Sequence, residues 1–319
     1  MKRGYNKMDY ENLVRKFLKE KQSIGLSKES LYYYERNLDL FIKFLDNNTI
    51  EDNTFYDYQL WLSASHNIKK ISIQTYARAT KVFLRWLVKN NYIDIDLKKI
   101  QLLKAERGII FPLQNQEISL LLNSFGSDVL GERNKLICML MLDCGLRRGE
   151  IPKIKKSDIY YDSNSILIHG KGSKERMVTF GNTVMEQMHL YDTKNCENST
   201  EYFFTTIKNT PLTKNAIKIM FTKLQKITGL ERIYPHLLRH TFATNYLLDG
   251  GNLETLRIIM GHNSISTTQK YLHIAEQIKI LQQKHLSHLD IMYNQDIKTV
   301  DTLNLILNGI ANIQAKITD

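Results

Sequence analysis

The sequence places two histidines and an arginine on one side of a helix. His236, Arg239 and His240 are spaced i, i+3 and i+4, which brings their side chains to one helical face. The arginine offers a planar fork of N–H donors and each imidazole offers another, so this face suits an oxyanion such as a phosphate. His262 and Tyr271 follow within the next helical segments, and a phenol beside such donors can act as a nucleophile at phosphorus.

Less specific interpretations of this spacing stay open on these residues alone. A His-x-x-x-His pair is often part of an ordinary protein surface, or a pair of metal ligands. A zinc-protease site is excluded, because Leu237 occupies the position where the general-base glutamate belongs.

A pair of arginines follows a strongly apolar segment, residues 136–142, in which a buried helix is predicted. Gly145 is suited to end that helix, and Arg147 and Arg148 come directly after it. The arginines fit phosphate binding about as well as they fit a structural ion pair with Glu150.

Lys171 lies in a glycine-rich turn, residues 170–174, between two short apolar strands predicted at 165–169 and 176–180. A nucleotide-binding P-loop is excluded, because the required upstream glycine is missing and no helix pattern follows directly. A lysine on such a turn is usually only solvated. It becomes chemically relevant if the turn reaches a cleft.

Helical periodicity divides the chain into four parts. Residues 1–92 predict a bundle of amphipathic helices, with starts at Ser27, near a Thr54 capping box and at Ser72. Its last helix carries basic residues that suit either a DNA backbone or a solvated face. Residues 93–112 predict a basic linker, 113–275 a domain of helices with the strand pair, and 276–319 a helical tail. The apolar stripe of that tail packs on its own domain or on a neighbouring protomer.

Composition favours a nucleic-acid partner inside a reducing compartment. The 319 residues contain 44 Lys and Arg against 33 Asp and Glu, a net charge of +11, and this excess lies before residue 272. Cys138, Cys144 and Cys196 have neither paired nor metal-type spacing, and buried thiols are predicted at the first two. We find no secretory signal and no apolar run of membrane-spanning length, so we expect a cytoplasmic protein.

Together these segments resemble the tyrosine recombinases, also called the phage integrase family. The resemblance covers roughly residues 9–275 and is closest to the Xer-type and small transposon or phage enzymes. Met260 and Cys144 depart from the commoner Leu and Thr at their positions. The four matching motifs are Gly145-Leu-Arg147 with Glu150, Gly170-Lys171-Gly172 through Arg176, His236-Leu-Leu-Arg239-His240, and Met260-Gly-His262 through Tyr271.

The resemblance implies a mainly α fold with a small β-hairpin or sheet: a SAM-like helical core-binding domain followed by a mixed α/β catalytic domain. It also implies six catalytic residues. Tyr271 is the nucleophile, Lys171 the general acid and His236 an aid to deprotonation, while the phosphate is held by Arg147, Arg239 and His262. His240 and Glu150 are expected to support them. No metal and no cofactor are implied.

The implied activity is site-specific DNA recombination through a 3′-phosphotyrosyl intermediate and a Holliday junction, for integration, excision or resolution of DNA. The implied DNA partner is double-stranded DNA with inverted repeats. The chain is expected to bind each site as a monomer or dimer and to form a tetramer when two sites are brought together at synapsis. Accessory proteins are a further possible partner. Two alternatives are a type IB topoisomerase and a non-catalytic DNA-binding accessory protein. The complete set of six residues argues against the accessory protein.

Overall fold

The computed structural model describes residues 9–46, 48–65, 68–104, 108–170, 174–282, 289 and 292. The chain divides into two compact units, Met1–Gly108 and Ile109–Asp319, and the boundary falls inside the segment predicted as a linker. Lys171 and most of the predicted tail, residues 276–319, lie outside the described residues. Within the described residues, no helix is both long and apolar enough to cross a lipid bilayer.

The first unit is a helical bundle around an aromatic core. Phe17, Phe41, Phe83 and Leu87 are fully buried at its centre, and they come from three different helices that each turn an apolar side inward. The helices are α1 (Tyr10–Ser23), α2 (Lys28–Leu45), α3 (Thr54–Ser65) and α4 (Lys70–Lys89).

Three predicted helix starts have different outcomes. Ser27 does cap α2, by accepting the Ser30 N–H at 3.4 Å. The predicted helix start near Thr54 was correct, because α3 begins there, but the capping role of the Thr54 hydroxyl was not, and the predicted start at Ser72 was wrong. The Thr54 hydroxyl instead accepts the Glu51 N–H at 2.8 Å and closes the preceding turn, while α4 begins two residues before Ser72.

Much of the predicted linker is packed rather than extended. Ile95 and Ile100 are buried in the core of the first unit, and the Lys81 ammonium donates to the Ile100 carbonyl at 2.7 Å. Lys81, one of the basic residues on the last helix of the predicted bundle, is therefore held by its own unit. On the other side of the boundary, Leu113 is buried in the second unit.

The second unit surrounds the apolar helix predicted from residues 136–142. This helix is buried along most of its length, including the Cys138 thiol, and it packs against the seventh and ninth helices. The helices are α5 (Asn115–Asn123), α6 (Val129–Asp143), α7 (Asn182–Lys194), α8 (Lys214–Thr228), α9 (Pro235–Leu248), α10 (Leu253–Met260) and α11 (Ile265–Gln282).

A small antiparallel sheet completes the second unit, in the order β1 (Ile159–Tyr160), β2 (Ser165–His169) and β3 (Glu175–Thr179). The prediction for β2 was correct at both ends, and β3 begins and ends one residue earlier than expected. Pairing of Ile166 with Val178 buries both side chains against the core. His169 pairs with Glu175 at the end of the hairpin next to the connecting turn.

Gly145 has a backbone conformation and a neighbourhood that exclude a side chain. Its φ is +62°, and an added Cβ would lie 2.4 Å from the Phe242 ring. We expect Gly145→Ala to lower the free energy of unfolding by about 2–4 kcal/mol, because a left-handed cost and an over-packing cost add. Urea unfolding of both proteins measures the difference.

Gly229 provides the matched control, because it has a φ of +69° and nothing within 4 Å of an added Cβ. Gly229→Ala should cost only about 1–2 kcal/mol. Equal losses in the two variants would mean that the Phe242 contact does not constrain this position.

Candidate active site

Helix α9 carries His236, Arg239 and His240, as their spacing predicted, but it does not expose them equally. Pro235 is the first helical residue, a position that its fixed φ and missing N–H favour. His236 lies exposed in the first turn, whereas Arg239 is 4% exposed and His240 is buried. Helical spacing set their direction, and packing against α6 and α11 set their depth.

Arg239 is fixed by backbone carbonyls on two sides. It donates to the carbonyl of Gly145 and, at 2.5 Å, to that of Met260. Burial and then the positive charge of Arg147 lower the pKa of Arg239 to about 9, which still leaves it charged at neutral pH. A buried guanidinium held in this way is a fixed positive group beside Tyr271.

Arg147 and Glu150 form the second part of the site. The carboxylate of Glu150 accepts the Arg147 backbone N–H at 2.8 Å and its guanidinium at 2.9 Å. The ion pair with Glu150 is therefore present. The Arg147 side chain is nevertheless 35% exposed, so the guanidinium can reach a ligand as well.

Glu150 also binds a residue to which the sequence analysis gave no role. Arg176 on β3 donates to the two carboxylate oxygens of Glu150, at 2.9 Å and 2.8 Å. Burial alone would raise the pKa of Glu150, but hydrogen bonds and charge from Arg176, followed by hydrogen bonds from Arg147, lower it to about 2. Glu150 is thus an anion at any physiological pH.

The turn that ends α10 orients several arginines at once. Four consecutive carbonyls of this turn each accept a hydrogen bond from a different arginine, which fits the negative end of a helix dipole. The pairs are Ile259 with Arg176, Met260 with Arg239, Gly261 with Arg147 and His262 with Arg257.

His262 is held between a hydroxyl and a guanidinium. Its Nδ1 lies 2.9 Å from the Thr268 hydroxyl, and its Nε2 lies 3.3 Å from a donor nitrogen of Arg239. Because that nitrogen has only hydrogens to offer, Nε2 must be the acceptor, and we assign the proton to Nδ1. Burial and the charges of Arg239 and Arg147 lower the pKa of His262 to about 4, which agrees with a neutral ring.

Tyr271 on α11 is 8% exposed and packs beside these groups. Its ring centroid lies 5.2 Å from that of His240 and 6.3 Å from that of His262. Burial raises the pKa of the Tyr271 phenol, while Arg239 and Arg147 oppose the rise. Among the described ring contacts, Tyr271 meets His240 and His262 but not His236.

The two remaining histidines differ in their surroundings. His240 lies within hydrogen-bonding distance of the Ile110 carbonyl, at 2.5 Å, and of the Thr244 hydroxyl, at 3.2 Å. The carbonyl can only accept, so His240 uses its Nε2 proton to hold the start of the second unit. Loss of hydration and then the charge of Arg239 lower the pKa of His236, although its side chain is exposed.

The structure does not describe Lys171 itself, but it does describe both flanks of its turn. The Gly170 N–H donates to the Lys174 carbonyl at 2.7 Å. The Lys174 ammonium donates to the Asn263 side chain at 3.0 Å, next to His262 in the chain. The C-terminal flank of the turn therefore reaches the segment that carries His262.

The arrangement can bind an anion and offer it a nucleophile. Arg147 and Arg239 supply positive charge beside the Tyr271 phenol, and His262 supplies a neutral imidazole. Sequence reasoning gave no role to Thr268, Arg176 or the carbonyls of the α10 turn. The last motif nevertheless spans Thr268 and most of that turn, and the hairpin motif contains Arg176. Within the described residues, no group of three or more His, Cys, Asp or Glu side chains has the arrangement of a metal site.

Because the folded state lowers the pKa of His262 to about 4, acid should destabilise the protein. The unfolded chain, with an ordinary histidine pKa of about 6.5, takes up protons first as the pH falls. We expect the free energy of unfolding to drop between about pH 7 and pH 4, and to drop less steeply in His262→Asn. Urea titrations at several pH values test this, with exposed His273→Asn as the control; identical slopes for His262→Asn and the wild type would refute it.

The residues of this site lie within a region that is similar to known proteins. The pattern of the phage integrase family matches residues 112–277. The tyrosine recombinase XerC of Bacillus pumilus is 28% identical over 271 residues, which covers 80% of this chain and 88% of the relative. XerC of Staphylococcus aureus is 29% identical over 266 residues, covering 79% of this chain and 88% of the relative.

Solved structures of DNA-bound recombinases share the fold. The Tn1549 transposon integrase with transposon right-end DNA has a TM-score of 0.68 at 16% identity, over 85% of this chain and 98% of that one. The XerH site-specific recombinase bound to a palindromic difH substrate has a TM-score of 0.67 at 21% identity, over 83% of this chain and 81% of that one. Since the family pattern spans more than half of its residues, the chain belongs to the phage integrase family of tyrosine recombinases.

Proposed function

We propose the route by which this site-specific DNA recombinase cuts and rejoins DNA. The observation that carries the proposal is the placement of Arg147, Arg239 and His262 around the buried Tyr271 phenol. The two arginines hold the non-bridging oxygens of the scissile phosphate, where negative charge grows during the reaction. His262 gives a further hydrogen bond once its Nε2 carries a proton, and the bound anion favours that protonation.

In the proposed reaction the Tyr271 oxygen attacks phosphorus and the bond from phosphorus to the 5′ oxygen breaks. The phenol proton passes to His236, whose lowered pKa leaves it neutral and able to accept a proton near pH 7. Lys171 gives a proton to the leaving 5′ oxygen. The product is a 3′-phosphotyrosyl strand, and a 5′-hydroxyl reverses the step on the same or another strand without ATP.

We further propose that the partner is double-stranded DNA with inverted repeats. The proposed core-binding region, residues 1–92, and the catalytic region, residues 113–275, both carry excess positive charge for this contact. One or two chains bind each site and four chains act at synapsis, through a Holliday junction. The tail, residues 276–319, packs on a neighbouring chain in this arrangement.

Covalent capture tests the function. Purified protein is mixed with a sheared, nicked DNA library and denatured, and the protein-linked strands are sequenced beside Tyr271→Phe. We expect strands joined by their 3′ ends at a few inverted-repeat sites, and none with the variant, which lacks the attacking oxygen. Attachment scattered over the library would instead indicate a topoisomerase. Binding without attachment would contradict the proposed chemistry.

A sulfur substitution tests the general acid. Lys171→Ala should form the covalent complex on ordinary DNA at least about 100-fold more slowly, the usual size of a general-acid effect. The rate should recover when the 5′-bridging oxygen is replaced by sulfur, because a thiolate leaves without a proton. Arg147→Ala is the control, since sulfur should not restore a missing phosphate clamp. A Lys171→Ala defect that sulfur leaves unchanged would remove Lys171 from this role.

A further inference from the structure

Arg176 is built into the site without facing a ligand. Its side chain is 9% exposed, and each of its guanidinium nitrogens already has a partner. The two terminal nitrogens donate to the carboxylate of Glu150 at 2.9 Å and 2.8 Å, and Nε donates to the Ile259 carbonyl at 2.6 Å. Arg176 therefore acts on the site through the groups it holds.

The carboxylate of Glu150 is shared between two arginines. Its side chain is 7% exposed and accepts two hydrogen bonds from Arg176 and two from Arg147. The forked pair with Arg176 is the geometry in which a guanidinium and a carboxylate bind most strongly. Without Arg176, the negative charge of Glu150 would fall on Arg147 and offset the positive charge that a phosphate needs.

The backbone links these same groups a second time. Arg176 holds the Ile259 carbonyl, and Arg147 holds the Gly261 carbonyl two residues later, at 2.9 Å. A Cβ on Gly261 would lie 3.2 Å from the guanidinium of Arg147 and 3.3 Å from that of Arg176. Both guanidiniums thus pack against one stretch of backbone, and a shift of Arg176 would be felt by Arg147.

We propose that Arg176 is a positioning residue of the recombination reaction. It neutralises Glu150 and fixes the end of α10, so that the charge and orientation of Arg147 serve the scissile phosphate. This inference rests on the proposed function, because it takes the phosphate site of Arg147, Arg239 and His262 as given. Arg176 itself contacts no DNA.

The test combines charge removal from the protein with charge removal from the DNA. Arg176→Met, Glu150→Gln and the double variant are compared on a nicked half-site from the capture experiment, where the rate of covalent attachment is measured in a single turnover. Each protein is also assayed with a substrate in which a neutral methylphosphonate replaces the phosphate at the cleaved position. Thermal unfolding shows which variants are folded, and Arg176→Lys keeps the charge should the methionine variant unfold.

We expect Arg176→Met to slow attachment by roughly 10- to 100-fold on ordinary DNA, the range in which loss of correct positioning falls. Adding Glu150→Gln should restore part of the rate, because the uncompensated carboxylate is then gone. The defect should also be smaller on the methylphosphonate, which needs less positive charge. A side chain that served only folding would produce neither effect.

Two further comparisons distinguish a failure of the Arg176 inference from a failure of the proposed function. Arg257→Met removes another arginine from the α10 turn, but its carboxylate partner, Glu254, has a side chain that is 55% exposed. For Arg257→Met, the ratio of the attachment rate on ordinary DNA to that on the methylphosphonate should therefore equal the wild-type ratio. Suppose that the wild type forms the covalent complex and that the methylphosphonate reduces the defect of Arg147→Ala but not that of Arg176→Met. The inference about Arg176 is then wrong, while the proposed function stands. If the wild type forms no covalent complex with DNA, the proposed function is wrong, and the inference that rests on it is wrong as well.

Discussion

The candidate site depends on holding several guanidiniums close together in a largely buried place. Arg147, Arg176 and Arg239 repel one another, and burial makes that repulsion stronger than it would be in water. Two features of the chain offset this cost. The carboxylate of Glu150 is shared by Arg147 and Arg176, and the carbonyls that end α10 accept a hydrogen bond from each of the three.

The excess of positive charge then sets the state of the neighbouring groups. It lowers the pKa of His262 and opposes the rise that burial causes in the pKa of Tyr271. A bound phosphate would reverse the balance, because its negative charge relieves the repulsion among the arginines and favours protonation of His262. The same arrangement that is costly in the free protein is thus suited to an anion whose charge grows during reaction.

Local signals in the sequence were enough for much of the fold. A short apolar run beside a glycine-rich turn located β2, a serine with the right spacing located the start of α2, and Gly145 was correctly placed after α6. The capping role of Thr54 was misjudged because a hydroxyl near a helix start has several backbone partners within reach, and Thr54 takes the Glu51 N–H of the preceding turn. At Ser72 the error is one of position, because α4 already begins at Lys70.

The site was predictable to the extent that its residues share one helix or one motif. The spacing of His236, Arg239 and His240 gave their direction on α9, but their burial depends on helices far away in sequence. Arg176 meets Glu150 across 26 residues, and no local pattern marks that contact. The packing of Tyr271 against His240 likewise follows from the pairing of α9 with α11, which periodicity alone does not give.

The central claim is that Tyr271 becomes joined to the 3′ end of a cut DNA strand, and the chemical linkage itself is the most direct measurement. The covalent complex is digested with trypsin and nuclease, and the modified peptide is sequenced by tandem mass spectrometry. Cleavage after Lys270 and Lys279 yields a peptide, residues 271–279, in which Tyr271 is the only tyrosine. The account predicts a nucleotide attached to Tyr271 through its 3′ phosphate. Attachment to another residue, or through a 5′ phosphate, would contradict it.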